Sequence, residues 1–134
     1  MKVTKRVEFS YGHVLPKHKG RCSNPHGHNA VLEVTVTGPI MRDGMVIDFG
    51  DLKDIMKDVV EPLHHAWIFG RDDPVEMFEL WEEMHWKRVY LSAANATAEE
   101  IAYYIHGELS QHFIDEFTIS VLLSETSDSW VEFA

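Results

Sequence analysis

The sequence has 134 residues, which is long enough for one domain with a buried core, and its formal net charge is −10. The acidic balance argues against a nucleic-acid or membrane-surface partner, because either one requires a basic face. No apolar run approaches the roughly 18 residues that span a bilayer, and the single Cys22 cannot form an internal disulfide. We therefore expect a single domain over residues 1–134 in the reducing environment of the cytoplasm.

The first predicted elements are two strands joined by a loop. Residues 2–10 alternate between apolar and polar side chains, which predicts a strand with one buried face. Residues 11–27 contain Gly, Pro, Lys and Asn and predict a loop. Residues 28–37 alternate again and predict the second strand. Turn signals at 42–44 then return the chain into residues 45–49.

The middle of the chain predicts a helix followed by a variable insertion. Apolar residues recur at helical spacing from Asp51 until Pro62, which ends the helix and releases the next residues into a loop. Asp73 and Pro74 have the form of an N-cap followed by proline at the first helical position. They predict a short helix within the insertion, residues 71–86.

The last part of the chain predicts a short strand, a helix and two closing strands. Residues 87–91 are the short strand candidate. Residues 97–100 have the form of a capping box and precede a helix to about residue 111. Residues 117–126 alternate once more, and residues 130–133 can pair beside them.

These elements predict an α+β fold. Its economical form is a four-stranded antiparallel sheet with two helices on one face, in the order ββααββ. Such a sheet leaves edges that need partners, so we expect an oligomer.

Three histidines form a candidate metal site. His26 and His28 are two residues apart at the start of a strand, so both rings point to the same, inward face. His13, in the loop after the first strand, can supply a third ligand if the two strands pair. Three imidazoles without a fourth protein ligand leave a position open, as in catalytic zinc sites, although copper, iron and nickel also bind imidazole. A solvated strand entrance is the alternative, and the nearby His13 and Cys22 favour metal binding.

Cys22 is a candidate base or nucleophile. It lies four residues before His26 and beside Arg21, in a polar setting that does not suit a buried structural thiol. A neighbouring cation favours the thiolate, which is the reactive form. His65 is the natural candidate to complete an acid–base pair with it.

Glu125 ends an alternating strand on its apolar, inward side. A carboxylate in that position is costly unless something binds it. A guanidine-like edge, such as that of a pterin ring, offers two parallel N–H donors to one carboxylate. The alternative is a glutamate at the strand end that reaches water.

Six segments together resemble the 6-pyruvoyltetrahydropterin synthase family. They are F-x-x-x-H at Phe9 to His13, C-x-x-x-H-G-H at Cys22 to His28, G-x-V-I-D-F at Gly44 to Phe49, LDH at 63–65, PT-x-E at 96–99 and ET at 125–126. The resemblance runs nearly end to end. The short spacing from the cysteine to the first histidine resembles that of the family members that make 6-carboxy-5,6,7,8-tetrahydropterin for queuosine more than that of the members that make the 6-pyruvoyl product.

The resemblance implies a fold, a reaction and residue roles. The fold is the tunnelling fold, assembled into trimers that stack as hexamers, with sites between subunits. The substrate is 7,8-dihydroneopterin triphosphate, which loses triphosphate and acetaldehyde to give 6-carboxytetrahydropterin. The implied residues are the zinc ligands His13, His26 and His28, the proton-abstracting thiolate Cys22, its partner His65, the pterin anchor Glu125, and Thr97 and Glu99 nearby.

Two positions depart from the family pattern. His64 stands where the family has the aspartate of its LDH segment, and Ala96 replaces a proline. A histidine can relay protons but cannot supply the fixed negative charge that would orient His65. We keep His64 with Cys22 and His65 in the candidate catalytic set.

A basic loop is our candidate for the triphosphate. Residues 1–47 hold seven Lys or Arg against three acids, whereas residues 48–134 hold five against nineteen. Lys17, Lys19 and Arg21 lie in a flexible loop of the basic part, which suits an anion. An ordinary solvated loop is the alternative.

Three other interpretations of the function remain open. The chain could form the 6-pyruvoyl product, or it could be a catalytically altered pterin-binding relative, because of His64. A remote alternative is a cupin-like metal protein, since His26, His28 and Glu33 match H-x-H-x4-E. In a regular strand Glu33 faces the opposite side from His28, which argues against that alternative.

Overall fold

Two long antiparallel strands, β1 (Lys2–His13) and β2 (His26–Thr37), form the centre of the structure, a computed structural model that describes residues 1–134. The other strands are β3 (Ala66–Phe69), β4 (Arg88–Tyr90), β5 (Thr118–Thr126) and β6 (Ser129–Phe133). The helices are α1 (Phe49–Val60), α2 (Val75–Glu83) and α3 (Ala98–Ser110), and a 3₁₀ turn covers Arg21–Ser23.

The sheet has six strands in the order β4-β3-β1-β2-β5-β6. β1, β2, β5 and β6 are antiparallel, and the α+β class is confirmed, but β3 and β4 add two parallel strands at the β1 edge. The predicted four-stranded, purely antiparallel sheet is therefore wrong, because it leaves out β3 and β4, and the structure has three helices rather than two. β3 is a short apolar run that pairs with β1 only at Tyr11 and Gly12, so no alternating pattern reveals it.

One face of the sheet packs against α1 and α3. The inward side chains of β1, β2 and β5 form the core with both helices, and Phe9, Leu32 and Leu123 are almost completely buried. This alternation places His13, His28 and Glu125 on the same side as the core. No helix of the structure is sufficiently long and apolar to pass through a membrane.

The helix starts illustrate how side-chain caps fix the boundaries. The Asp48 carboxylate accepts hydrogen bonds from the backbone N–H groups of Gly50 and Asp51, at 2.8 and 3.1 Å. α1 therefore begins slightly before the predicted Asp51. α3 begins as predicted, with Thr97 Oγ1 accepting from the Glu100 N–H at 3.3 Å.

α2 packs on the opposite face of β3. Trp67 and Phe69 point away from the core residue Ile68. The Phe78 ring stacks on Phe69 with centroids 4.4 Å apart, and the Trp81 ring lies 5.0 Å from Trp67. We call β3, α2 and β4, residues 66–90, the aromatic unit, because these rings fill its interior.

The predicted N-cap of the insertion helix is wrong. α2 begins at Val75, and its cap position is Pro74, which makes no side-chain hydrogen bond. Asp73 is instead buried, and neither oxygen of its carboxylate has a hydrogen-bond partner among the protein groups. Burial raises the pKa of the Asp73 carboxyl to about 6.

Candidate metal centre and active site

The three predicted metal ligands lie together at the end of the β1–β2 pair. His13 is the last residue of β1 and lies opposite His26, the first residue of β2. His13 was predicted to lie in a loop, but β1 extends to it because β2 pairs with the whole strand. The Nε2 atom of His13 is 3.0 Å from that of His26 and 3.1 Å from that of His28. We call these residues the histidine cluster.

Backbone carbonyls orient two rings of the histidine cluster. Nδ1 of His13 lies 2.6 Å from the oxygen of Ala96, and Nδ1 of His26 lies 2.6 Å from the oxygen of Asn24. Each Nδ1–H donates to its carbonyl, which leaves the Nε2 lone pair for a metal. Burial lowers the pKa of His13 and favours the neutral imidazole that metal binding requires.

The donor set suits a zinc ion. The ligand atoms of His13, His26 and His28 lie within 4.8 Å of one another, and no other residue belongs to this group. Neutral imidazoles with carbonyls behind them are the usual surroundings of protein-bound zinc. The same donors also accept copper, iron or nickel, so the ligands favour a late first-row metal rather than magnesium or calcium.

Glu125 adds a carboxylate to this end of the sheet. Its Oε1 lies 3.7 Å from Nε2 of His13, and its Oε2 lies 3.7 Å from Nε2 of His28. The hydroxyl of Tyr11 donates a short hydrogen bond to Oε1. Burial, together with the negative charge of Glu125, raises the pKa of Tyr11, so the phenol stays protonated and remains the donor.

Tyr11 is a site residue that the sequence analysis missed. It is 3% exposed and lies between Phe9 and His13 on the inward side of β1. The signal was its hydroxyl, because a buried phenol on an apolar strand face needs a hydrogen-bond partner. Glu125, on the same face of β5, is that partner.

A cavity of about 430 Å³ lies beside the histidine cluster. It brings together the predicted site residues His13, Cys22, Thr97, Glu99 and Glu125. His18 and Trp130 also line it, although the sequence analysis singled out neither. One chain therefore lines this cavity with a thiol, two carboxylates and one histidine of the candidate metal centre.

His64 and His65 lie outside that cavity. Nδ1 of His64 accepts a hydrogen bond from the backbone N–H of Ser10 at 3.1 Å. His65 has a positive φ of 56° and lines a second cavity, of about 580 Å³, with three tryptophans of the aromatic unit. His26 also lines this second cavity, so the histidine cluster lies between the two spaces. Within one chain, the predicted pair of Cys22 and His65 is not brought together.

The basic loop lies at the surface near the first cavity. Lys17, Lys19 and Arg21 are exposed, and Lys17 pairs with Asp72 at 3.3 Å. The backbone N–H of Leu15 donates to the carbonyl of Cys22 at 2.8 Å, which closes the loop beneath them. The positive charges of this loop therefore lie close to Cys22 in the sequence and in the fold.

Glu33 faces away from the histidine cluster, as predicted. It pairs with Arg6 at 3.2 Å on the opposite face of the sheet. The H-x-H-x4-E match therefore does not form a joint metal site, which removes the basis for the cupin-like alternative.

A family model described as 6-pyruvoyl tetrahydropterin synthase matches residues 2–134. The chain belongs to this family. A relative from Rickettsia conorii named 6-carboxy-5,6,7,8-tetrahydropterin synthase is 36% identical and covers 98% of this chain and 99% of its own length. A relative of the same name from Haemophilus influenzae is 35% identical and covers 98% of this chain and 97% of its own length.

Two solved structures share the fold. The 6-pyruvoyltetrahydropterin synthase of Plasmodium vivax, solved as a variant of a catalytic residue, matches with a TM-score of 0.74 at 21% identity, over 99% of this chain and 97% of that one. An uncharacterized protein from Wolinella succinogenes matches with a TM-score of 0.79 at 20% identity, over 99% and 97% of the two chains.

Proposed function

We propose that this chain is a zinc-dependent 6-carboxy-5,6,7,8-tetrahydropterin synthase. It converts 7,8-dihydroneopterin triphosphate into 6-carboxytetrahydropterin, with loss of triphosphate and acetaldehyde, in the cytoplasmic pathway to queuosine. The observation that carries the proposal is the first cavity, beside the histidine cluster, with Cys22 and Glu125 in its wall. The names of the nearly full-length relatives support the same reaction.

The predicted site residues of the first cavity each have a proposed role. The thiolate of Cys22 removes a proton from the side chain of the substrate. The carboxylate of Glu125 accepts two N–H groups from the guanidine-like edge of the pterin ring, and Thr97 and Glu99 bind the ring beside it. Zinc, when bound to the histidine cluster, holds the side-chain oxygens and polarises the developing carbonyl.

The second half of the catalytic set comes from another copy of the chain. His65 lies in the second cavity, so we propose that His65 of one copy, with His64 behind it, faces Cys22 of another copy. The outer edge of β6 and most of the outer edge of β1 have no strand partner within the chain, which suits pairing between copies. We propose trimers that stack as hexamers, each copy being one domain over residues 1–134.

Complementation tests the shared site. Cys22→Ala and His65→Ala variants, each inactive alone, should recover activity when they are coexpressed, because some interfaces then contain both intact residues. Coexpression of Cys22→Ala with a second Cys22 variant, Cys22→Ser, is the control and should recover none. No recovery in the first pair, with mixed oligomers present, would contradict the shared site.

Product analysis tests the reaction. Zinc-loaded protein is incubated with 7,8-dihydroneopterin triphosphate, and the products are identified by mass spectrometry. The 6-carboxy product with acetaldehyde supports the proposal, whereas a 6-pyruvoyl product would move the chain to the other reaction named in this family. Absence of both products would leave it as a pterin-binding relative.

One observation favours this last alternative. Nδ1 of His64 is occupied by the backbone N–H of Ser10, so His64 is held in place by the fold. It cannot give His65 the fixed negative charge of a carboxylate. A His64→Asp variant separates the two possibilities: faster turnover means that His64 slows an existing reaction, and unchanged absence of product means that the chain is not a synthase.

A further inference from the structure

The second cavity is larger than the first, and the aromatic unit builds most of its wall. The indole rings of Trp67, Trp81 and Trp86 line it, and the centroid of Trp81 lies 5.0 Å from each of the other two. Its volume of about 580 Å³ lies within the range of about 300–1,000 Å³ that is usual for small-molecule sites. The proposed reaction uses His65 and the metal ligand His26 of this cavity and gives the tryptophans no role.

The end of α2 fixes the outer part of this wall. His85 follows the helix with a φ of 55°, in the left-handed region, and its N–H donates to the carbonyl of Glu82 at 3.2 Å. The N–H of Trp86 donates to the carbonyl of Trp81 at 3.1 Å. These two bonds form a Schellman motif, in which the residue after the left-handed position packs against the last turn of the helix. The backbone therefore holds the Trp86 ring against Trp81, although 43% of the Trp86 surface is exposed.

A pair of glycines leaves the floor of the cavity flat. Gly12 of β1 lies opposite Gly27 of β2, and both line the cavity. The Trp67 ring covers Gly12, because a Cβ there would lie 2.7 Å from Cε3 of Trp67. A Cβ at Gly27 would meet only the carbonyl oxygen of Tyr11, at 3.2 Å, so no side chain lies within 4 Å of that point. A flat backbone surface beside a wall of indole rings suits a planar ring, which can stack.

The charge of the second cavity is opposite to that of the first. No Asp or Glu lines the second cavity, although the chain has 22 acidic residues, whereas Lys87 is part of its lining. Nζ of Lys87 donates to the carbonyl of Glu61 at 2.6 Å and to the carboxylate of Glu61 at 3.4 Å, which leaves its third N–H for a ligand. The first cavity has the carboxylates of Glu99 and Glu125 and no Lys or Arg. The second cavity therefore favours an anion, and the first favours hydrogen-bond donors.

We propose that the second cavity binds a flat aromatic ring that carries an anionic group. The ring stacks against Trp81 and Trp86 above Gly27, and the anionic group accepts a hydrogen bond from Lys87. A carboxylated pterin and a nucleotide both have this chemistry. Binding does not depend on the reaction proposed above, because neither Cys22 nor Glu125 lines this cavity.

Two matched pairs of compounds test the anionic group: pterin-6-carboxylate against pterin, and guanosine 5′-monophosphate against guanosine. Titration calorimetry measures their affinities for the zinc-loaded protein. In at least one pair the anion should bind about tenfold more tightly than its neutral partner, and Lys87→Met should remove that difference. The pair that shows the difference identifies the source of the ligand. Lys53→Met, which removes an exposed lysine of α1, is the control and should keep the difference.

Two further variants locate the site. Trp86→Leu should weaken the binding of both members of that pair about tenfold, because it removes a stacked ring. Glu125→Gln changes the first cavity and should leave both affinities as they are. The opposite result, in which Glu125→Gln weakens binding and Trp86→Leu does not, would place the ligand in the first cavity and overturn the proposal.

Equal binding of the anion and its neutral partner in both pairs, or no binding at all, would also overturn it. Thermal unfolding checks that each variant folds, and if Lys87→Met does not, the effect of Trp86→Leu decides. Product analysis of the proposed reaction can fail while these affinities stand, so the two failures are distinguishable.

Discussion

The histidine cluster and the aromatic unit adjoin each other at the end of β1, yet they bury polar atoms in opposite ways. In the histidine cluster, Nδ1 of His13 has the carbonyl of Ala96, and nearby Glu125 has the hydroxyl of Tyr11. In the aromatic unit, the buried Asp73 carboxylate and Nε1 of Trp67 lie near each other but do not form a hydrogen bond of normal geometry. The hydrogen bonds of the histidine cluster orient its side chains to hold a ligand. The aromatic unit is held together by stacked rings, and its buried polar atoms are not oriented in this way.

The largest effect should follow from removing a ligand of the histidine cluster. His26→Ala should weaken zinc binding by at least about 100-fold, because two imidazoles cannot replace three. Metal analysis after dialysis measures the loss, and His112→Ala, an exposed histidine elsewhere, is the control. The near-ultraviolet circular dichroism of the aromatic unit should not change. Undiminished zinc in His26→Ala would contradict the ligand set.

The next effect separates chemistry from metal binding in the same region. Cys22→Ala should lower turnover about 100- to 10,000-fold, the range for loss of a general base. Zinc content should remain that of the wild type, because Cys22 is not one of the clustered ligands. Steady-state kinetics with matched metal analysis checks both points. Full turnover in Cys22→Ala would exclude the thiolate as the base.

The histidine cluster could be predicted because its signals are local. The parity of His26 and His28 with the apolar residues of β2 aims both rings inward, and the same rule places Glu125 on the inward side of β5. The residues that follow Thr97 likewise predict that it caps a helix. In each case neighbouring residues carry the information, so a period or a short motif suffices.

The strand β3 of the aromatic unit was harder to predict, because it is stabilised by contacts with another element and not by a pattern within the strand. β3 has four residues and no alternation, and it is stabilised by rings that belong to α2. The Tyr11–Glu125 pair joins residues 114 positions apart, which no local pattern can indicate. His65 was predicted as the partner of Cys22 from the sequence, and neither the residues nor a motif gives the distance between two side chains within one chain.

A smaller effect should separate the two regions by stability. Phe78→Ala removes the ring that stacks on Phe69, and we expect a loss of about 2 kcal/mol, less than for a fully buried phenylalanine because Phe78 is only half-buried. Urea unfolding measures it, with Leu80→Ala, an exposed neighbour on α2, as the control. Zinc affinity should stay unchanged. A matching fall in zinc affinity would mean that the two regions are not independent.

The smallest effect should appear at Asp73 and should depend on pH. Burial raises the pKa of its carboxyl to about 6 from the usual 3.8, so the folded state binds the proton more tightly than the unfolded state does. Ionised Asp73 therefore lowers the free energy of unfolding as pH rises from about 4 to 6, and the full penalty remains above that window.

Asp73→Asn removes this charge and tests the unpaired carboxylate directly. We expect the variant to gain about 1–2 kcal/mol over the wild type at pH 7.5 and to lose the gain by pH 4, where the wild-type carboxyl is protonated. Urea unfolding at both pH values measures the difference, and Asp72→Asn, the less buried neighbour, should gain little. An equal gain at both pH values would mean that shape rather than charge explains it. A loss at pH 7.5 would mean that the carboxylate has partners in solution, and the contrast with the histidine cluster would then disappear.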